Sequence, residues 1–380
     1  MINSKERIFD LFIVLYDLTA EGCPILALNL IDESQKKNVK ILLLTFKETS
    51  QELLDQFNKR NINIISFKLG NSGIFRYLKI LITTFIFSKK YNPHSILCFP
   101  FGWHSFVAIG SKLAGVKNVC THAGNLAPVF KNVNYWKFKF LVKLGNPCTN
   151  KIICCSKYIE TSINKNFGIN KSKTTFIYNS YDEKKFKFKK NLSLKNKLDS
   201  HETINIGMVG RLEVHKDQKS LIKAIKILKE KSIHSKLFLI GDGSQQSILK
   251  KLTKKLQLNN EVLFLGARID IEKILEKIDI FVFSTTKDEG FGIAMVEAMG
   301  KGLPILASDV GACREVLQDG KYGTLVKPNC YISIADGIEN MLSNLNLVRR
   351  TRNYAYKHVL KNFTKKQMAL EYLKVLDLKV

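Results

Sequence analysis

The stretch Asp279-Ile280-Phe281-Val282-Phe283-Ser284, followed by Asp288-Glu289-Gly290-Phe291-Gly292-Ile293-Ala294-Met295-Val296-Glu297-Ala298-Met299, sets a glycine-flanked turn and two carboxylates between a strand and a helix. Its first part is a short apolar run of β-formers ending in a polar residue, the pattern of a buried parallel strand. From Ile293 to Met299 there are helix formers and no breaker. The backbone N–H groups of Gly292, Ile293 and Ala294 are then expected to point out of the first helical turn, where the helix dipole favours an anion. Glu289 falls in the loop above the strand end, where open α/β sheets bind ligands, and Glu297 about one turn into the helix, expected to face the same crevice. Carboxylates repel phosphate and accept from hydroxyls, so the pattern suits a diphosphate flanked by polyols, as in a nucleotide sugar. The same residues also allow a plainer reading, a loop glutamate and a helix-start glutamate that supports the dipole.

Glu289 and Glu297, spaced by seven residues around Gly290-Phe291-Gly292 and followed by Gly302-Leu303-Pro304-Ile305-Leu306-Ala307-Ser308, resemble the signature of the group 1 (family 4) retaining glycosyltransferases of the GT-B fold. Gly210-Arg211-Leu212 with Lys216, Gly241-Asp242-Gly243 and Gly323-Thr324-Leu325-Val326 add to the likeness, which is close from Ile204 to Pro328 and looser, in the right order, before that. The resemblance implies an α/β architecture of two Rossmann-like doubly wound domains facing across a cleft, with a C-terminal helix crossing back to the first domain. It implies that Arg211 and Lys216 hold the diphosphate, Glu289 the hydroxyls of the transferred sugar and Glu297 the ribose. Gly290, Phe291, Gly292, Ile293 and Ala294 form the donor seat, Gly241 and Gly243 leave room for the nucleoside, and Arg268 lies where the backbone meets the base. In the first domain Gly22 lets the backbone approach a phosphate, and His122 contacts the donor sugar or the reaction centre. No cofactor or obligatory metal is expected, because Arg211, Lys216 and the helix N-terminus supply the charge stabilisation.

A chain of 380 residues exceeds what one core usually serves, so two domains are expected, residues 1–182 and 183–345, with a crossing helix over 346–380. No run reaches the roughly 20 apolar residues needed to span a bilayer. Acids at Glu6 and Asp10 around a short apolar run do not read as a signal peptide, which leads to an expected cytoplasmic location. The eight cysteines show no Cys-x-x-Cys pair, and Cys98, Cys120, Cys154 and Cys155 sit in apolar runs, as buried reduced thiols do. The seven histidines are scattered, without metal-ligand spacing.

Net charge is +27 and unevenly spread: between Asp55 and Glu160 there is no acid, while 15 Lys or Arg fall in that interval. A one-signed field attracts a polyanion, an anionic membrane face or a nucleic acid. Two segments bear on the choice. Ile74 to Phe87, ending in Lys89 and Lys90, is too apolar for an ordinary surface helix and too short to span, which leaves a buried helix or an interfacial one. Asn134 to Lys143 mixes aromatics with lysines, which suits a membrane interface, with an ordinary packed helix as the alternative. No nucleic-acid motif accompanies them.

Along the chain, strands are expected at 8–16, 39–45, 62–69, 95–99, 117–121, 151–156 and 174–178, with His122 delivered just past a strand end. Asn179-Ser180-Tyr181-Asp182 resembles the family's interdomain turn, and the lysine-rich run from Lys184 to Lys197 reads as linker and mobile surface. In the second half, strands are expected at 204–209, 236–240, 262–265, 279–284 and 303–307, helices at 218–230 and 348–374, and Asp270 as a helix cap. The resulting expectation is a retaining glycosyltransferase using a nucleoside-diphosphate sugar and a glycan or lipid-linked acceptor in bacterial cell-surface polysaccharide synthesis, peripheral on the cytoplasmic face of the membrane. Two rivals stay open, a nucleotide-sugar epimerase of similar fold and a nucleic-acid-binding protein.

Overall fold

The computed structural model describes residues 8–18, 22–47, 51–67, 69, 73–99, 101–128, 132–189 and 194–379. The chain divides into two compact units, Met1–Asn179 joined by Lys365–Val380, and Ser180–Thr364.

In the first unit the elements run β1 (Leu11–Leu15), α1 (Gly22–Gln35), β2 (Ile41–Thr45), α2 (Gln51–Asn58), β3 (Asn63–Ser66), α3 (Gly73–Tyr91), β4 (Ser95–Cys98), α4 (His104–Leu113), β5 (Asn118–Ala123), α5 (Val133–Gly145), β6 (Lys151–Cys154), α6 (Lys157–Phe167) and β7 (Thr174–Phe176). The strands form one parallel sheet in the order β3-β2-β1-β4-β5-β6-β7, so the order reverses between β1 and β4. Alternation along β1 divides its side chains between two cores. Leu11, Ile13 and Leu15 pack with Leu26, Leu30, Tyr372 and Leu373, whereas Phe12 and Val14 pack with Ile80, Val107 and Ala108. Burial on both faces explains why β1 and β2 are continuous apolar runs.

The second unit follows with α7 (Leu194–Asp199), β8 (Ile204–Val209), α8 (Gln218–Glu230), β9 (Ser235–Ile240), α9 (Gln246–Lys255), β10 (Val262–Phe264), α10 (Ile271–Leu275), β11 (Ile280–Phe283), α11 (Ile293–Lys301), β12 (Ile305–Ser308), α12 (Gly311–Leu317), β13 (Thr324–Val326), α13 (Tyr331–Ser343) and α14 (Leu345–Asn362). Its parallel sheet has the order β10-β9-β8-β11-β12-β13, reversing between β8 and β11. Both units are thus doubly wound Rossmann-like sheets.

Three expectations are corrected here. The helix expected over 348–374 is two helices: the chain leaves helical geometry at Phe363, and the Asn362 side-chain amide donates to the His358 carbonyl at 2.8 Å at the end of α14. The chain resumes as α15 (Lys365–Val375), which packs on α1 in the first unit. The lysine-rich run is held rather than loose: Phe186 and Leu194 are buried, and Lys189 donates to the carbonyls of Glu276 and Ile278 at 2.9 and 3.2 Å. Residues 190–193 of that run lie outside the described residues. Finally β5 continues to Ala123, so His122 is a strand residue paired in register with Ile153.

On one face of the first sheet α4 lies between α3 and α5. Gly110 faces the Leu81 carbonyl and the Thr84 hydroxyl, and Gly145 faces Ser105, each too closely for any Cβ. The flanking helices turn apolar side chains outward. Phe75 (74% exposed), Leu78, Ile82 and Ile86 follow helical spacing on α3, as do Val133 (81%), Trp136, Phe140 (66%) and Leu144 on α5. Among the described residues no helix is long and apolar enough to cross a membrane. Gly110→Ala is expected to push α3 off α4 and cost about 1–3 kcal/mol, read as a lower urea midpoint with unchanged m-value.

Candidate functional site

The candidate site is built on the carboxyl ends of β8 and β11, the neighbouring strands at which the second sheet reverses order. After β8 the chain turns through Gly210 and Arg211 into a 3-10 turn at Val214–Lys216, and Asp217, left-handed at φ 49°, caps α8 by accepting from the Ser220 N–H. That turn is fastened to the end of β11. The Thr285 hydroxyl and the Thr286 N–H donate to the His215 carbonyl at 3.0 and 2.8 Å, and the Ser284 hydroxyl donates to the Lys216 carbonyl at 3.1 Å. Polar residues at the end of an apolar strand therefore fix where Lys216 stands.

The Lys216 ammonium donates to Glu289 Oε2. Glu289 is 6% exposed, and its other oxygen accepts from the Gly290 and Phe291 N–H groups at 3.1 and 3.4 Å. Burial pushes this carboxyl up, but the charge and hydrogen bond of Lys216, with the two backbone donors, outweigh it and hold the acid below its ordinary value. Glu289 is thus an ionised carboxylate inside the protein. Of about four lone-pair positions on a carboxylate, three are engaged.

Beyond Phe291, Gly292 takes φ +89° and caps α11, and a Cβ there would lie 2.9 Å from the Phe283 ring. Both the dihedral and the close approach call for glycine at this position. Among the described residues the N–H groups of Gly292, Ile293 and Ala294 find no hydrogen-bond acceptor, as expected for the start of a helix. Lys216 Nζ is 5.2 Å from the centre of the same Phe283 ring. The helix start, the lysine and Glu289 are therefore brought together.

Glu297 has other company. It is half-buried on α11, and burial, with Lys185 opposing and Glu272 and Asp182 adding, pushes its carboxyl up to about 8. The two acids of the motif therefore stand in opposite protonation states at neutral pH. Gly241 and Gly243 are needed for packing: at φ +139° and +156° they meet the carbonyls of Gly210 and Leu212, leaving no space for a Cβ. Arg268 forms a two-point pair with Asp270 at 2.8 and 2.7 Å, and Asp270 makes no capping bond to α10, which corrects the expected cap. Arg211 is exposed, and its carbonyl accepts from the Gln218 amide at 2.7 Å.

Residues not singled out from sequence line a cavity next to it, formed by chain neighbours of Lys216 and Glu289. This cavity, of about 610 Å³, opens between Glu213, His215, Thr286, Asp288 and Asp309. Burial first, then Lys216 and Arg211, hold the His215 imidazole below its ordinary value, so it is neutral at pH 7. Its only signal in the sequence was its place beside Lys216. Among the described residues no three His, Cys, Asp or Glu side chains gather as a metal-ligand set.

Two expected site residues belong to the first unit. Gly22 is the exposed first residue of α1. His122 is 1% exposed, its Nδ1 lies 2.8 Å from the Tyr372 hydroxyl, and burial brings its imidazole down to about 3. The histidine expected just past a strand end is thus a neutral ring packed within the strand, held by α15.

Glu297 generates a pH dependence. Unfolded, it ionises near the ordinary 4.5, and folded, near 8. Between those values the unfolded chain binds fewer protons at this group, so the group lowers stability as pH rises through that window and contributes nothing below it. The melting temperature of the native protein is expected to fall relative to Glu297→Gln between pH 5 and pH 8, and parallel curves would show an ordinary Glu297.

The family model described as glycosyl transferases group 1 matches residues 189–358. An uncharacterised glycosyltransferase of Methanocaldococcus jannaschii is 32% identical over 257 residues, 65% of this chain and 64% of that protein. The N-acetylgalactosamine-N,N'-diacetylbacillosaminyl-diphospho-undecaprenol 4-alpha-N-acetylgalactosaminyltransferase of Campylobacter jejuni is 29% identical over 297 residues, 77% of this chain and 76% of that protein. The chain thus spans about two thirds to three quarters of the lengths of these two relatives. Among solved structures, Anabaena HepE in complex with UDP and glucose matches with a TM-score of 0.83 at 20% identity, over 97% of this chain and 99% of that one. The fold is GT-B.

Proposed function

The chain belongs to the group 1 glycosyl transferases, and from that premise we propose that it moves a sugar from a nucleoside-diphosphate sugar to a glycan or lipid-linked acceptor, with retention of anomeric configuration. The observation that carries the reading is the Lys216–Glu289 pair at the open amino end of α11. A diphosphate seated on the N–H groups of Gly292, Ile293 and Ala294 meets a helix dipole and the Lys216 ammonium. As the bond to the sugar breaks, Lys216 and Arg211 meet the charge growing on the leaving diphosphate, so the proposal needs no divalent ion. Glu289, held ionised, accepts from hydroxyls of the transferred sugar. Glu297, held protonated, both donates to and accepts from the ribose hydroxyls. For His122 the proposal is narrower, a neutral imidazole fixed by Tyr372. The named activities of the relatives and the UDP and glucose in the HepE structure support a nucleotide-sugar donor.

Glu289→Ala or Lys216→Ala is expected to lower transfer by about 100-fold or more. Each substitution leaves a buried charge without its partner at a cost of roughly 3–5 kcal/mol, so turnover is read per folded molecule by circular dichroism. Native turnover in a folded variant would contradict the assignment. Incubation with donor alone separates the epimerase reading, since a transferase leaves the sugar's configuration unchanged without acceptor.

The acceptor proposal extends to the membrane, at its cytoplasmic face. The outward apolar rows on α3 and α5 sit in the acid-free interval between Asp55 and Glu160. The Campylobacter relative is named for an acceptor carried on diphospho-undecaprenol. Apolar side chains enter the interface while each Lys or Arg near an anionic surface adds about 1 kcal/mol. The protein is expected to float with anionic vesicles and not with neutral ones, and Phe75→Ser with Phe140→Ser to sink. Equal flotation on both vesicle types would refute an anionic surface as partner.

A further inference from the structure

The first sheet has its own order reversal, between β1 and β4, and residues past those two strand ends, with Arg76 of α3, line a second, open pocket of about 340 Å³. Tyr16, Arg76, Phe101 and Trp103 line it. The volume falls in the range of small-ligand pockets, and the position is the one at which open α/β sheets bind ligands.

Its walls are held in place. Tyr16 meets Trp103 edge-on at 4.9 Å. Phe101 lies flat on His104 at 5.2 Å, and His104 Nδ1 accepts from the Gly102 N–H at 3.0 Å. Gly102, at φ +94° and tight against Phe138, makes the turn that presents Phe101 and Trp103 together. The Arg76 guanidinium carbon stands 4.5 Å from the centre of the Trp103 ring. Among the described residues the buried Nε of Arg76 has no hydrogen-bond partner. A buried donor left unmade costs free energy. The nearest acids along the chain on either side of Arg76 are Asp55 and Glu160.

One guanidinium in an aromatic cavity calls for a ligand with one anionic group and one flat, weakly apolar face. A sugar ring presents C–H bonds to the negative face of an aromatic ring, and a phosphate takes the two-point fork of an arginine. We propose that this pocket binds a glycosyl phosphate, the sugar against Trp103 and Tyr16 and the phosphate on Arg76, and that it holds the phosphate-bearing end of the acceptor. The first half stands on the pocket alone; the second rests on the transferase reading above.

The chain has two tryptophans, Trp103 and Trp136. In Trp136→Phe the emission of Trp103 reports the pocket alone. Titration with glucose 1-phosphate is expected to change it saturably, with glucose or inorganic phosphate alone needing at least ten-fold higher concentration. Adding Arg76→Gln is expected to weaken glucose 1-phosphate at least ten-fold and leave glucose unchanged. Calorimetric titration of Trp103→Leu, which removes the reporter, checks the same loss without fluorescence. No saturable response, or equal half-saturation for inorganic phosphate and glucose 1-phosphate, or an unchanged response in Arg76→Gln, would overturn the site. UDP-induced thermal stabilisation is followed in every variant, and its persistence separates failure of this pocket from failure of the transferase reading.

Discussion

A buried ion pair is the constraint on which the second unit depends. Taking Lys216 and Glu289 out of water costs several kcal/mol per ion, and their attraction offsets this only when the remaining hydrogen-bonding positions are filled. Here the backbone N–H groups of Gly290 and Phe291 fill positions on the carboxylate, while Ser284, Thr285 and Thr286 fix the turn that carries the lysine. The pair therefore ties the loop after β8 to the loop after β11 across the reversal of strand order. The pair also holds the Lys216 ammonium beside the Phe283 ring, against which Gly292 at the start of α11 packs.

Eight positions separate the two acids of the motif, yet the surroundings drive them apart. Glu289 is ionised because a lysine and two backbone donors outweigh its burial; Glu297 is protonated because its burial outweighs the opposing charge of Lys185, with Glu272 and Asp182 adding to the rise. Two carboxylates of different protonation state can accept and donate respectively, which is the usual way for one chemical group to fill two roles in a site.

The first unit solves a different problem. Its sheet buries both faces, so α3 and α5 press on α4 through Gly110 and Gly145, and their outer rows face solvent. His122 belongs to the opposite core, closed by α15 through Tyr372. Seven of the 15 cations of the acid-free interval lie on the same two helices as the exposed apolar rows, a combination that neither packing nor solubility requires.

The fold was largely legible from the chain, because buried parallel strands read as apolar runs and the glycine turn before Ile293 admits few alternatives. The motif acids and the helix start were legible for the same reason: their spacing lies within one strand–turn–helix unit, β11 to α11, whereas Lys216, in the loop after β8, was marked by the family resemblance. What the sequence could not decide were contacts between residues far apart along it. That Lys216 would close on Glu289, that Gly241 and Gly243 would be filled by neighbouring carbonyls, and that His122 would be sealed under Tyr372 all depend on which loops the sheet order brings side by side. Local patterns of period and turn chemistry are written in neighbouring residues; burial, and with it the protonation of Glu297 and His122, is set by the packing of the whole unit.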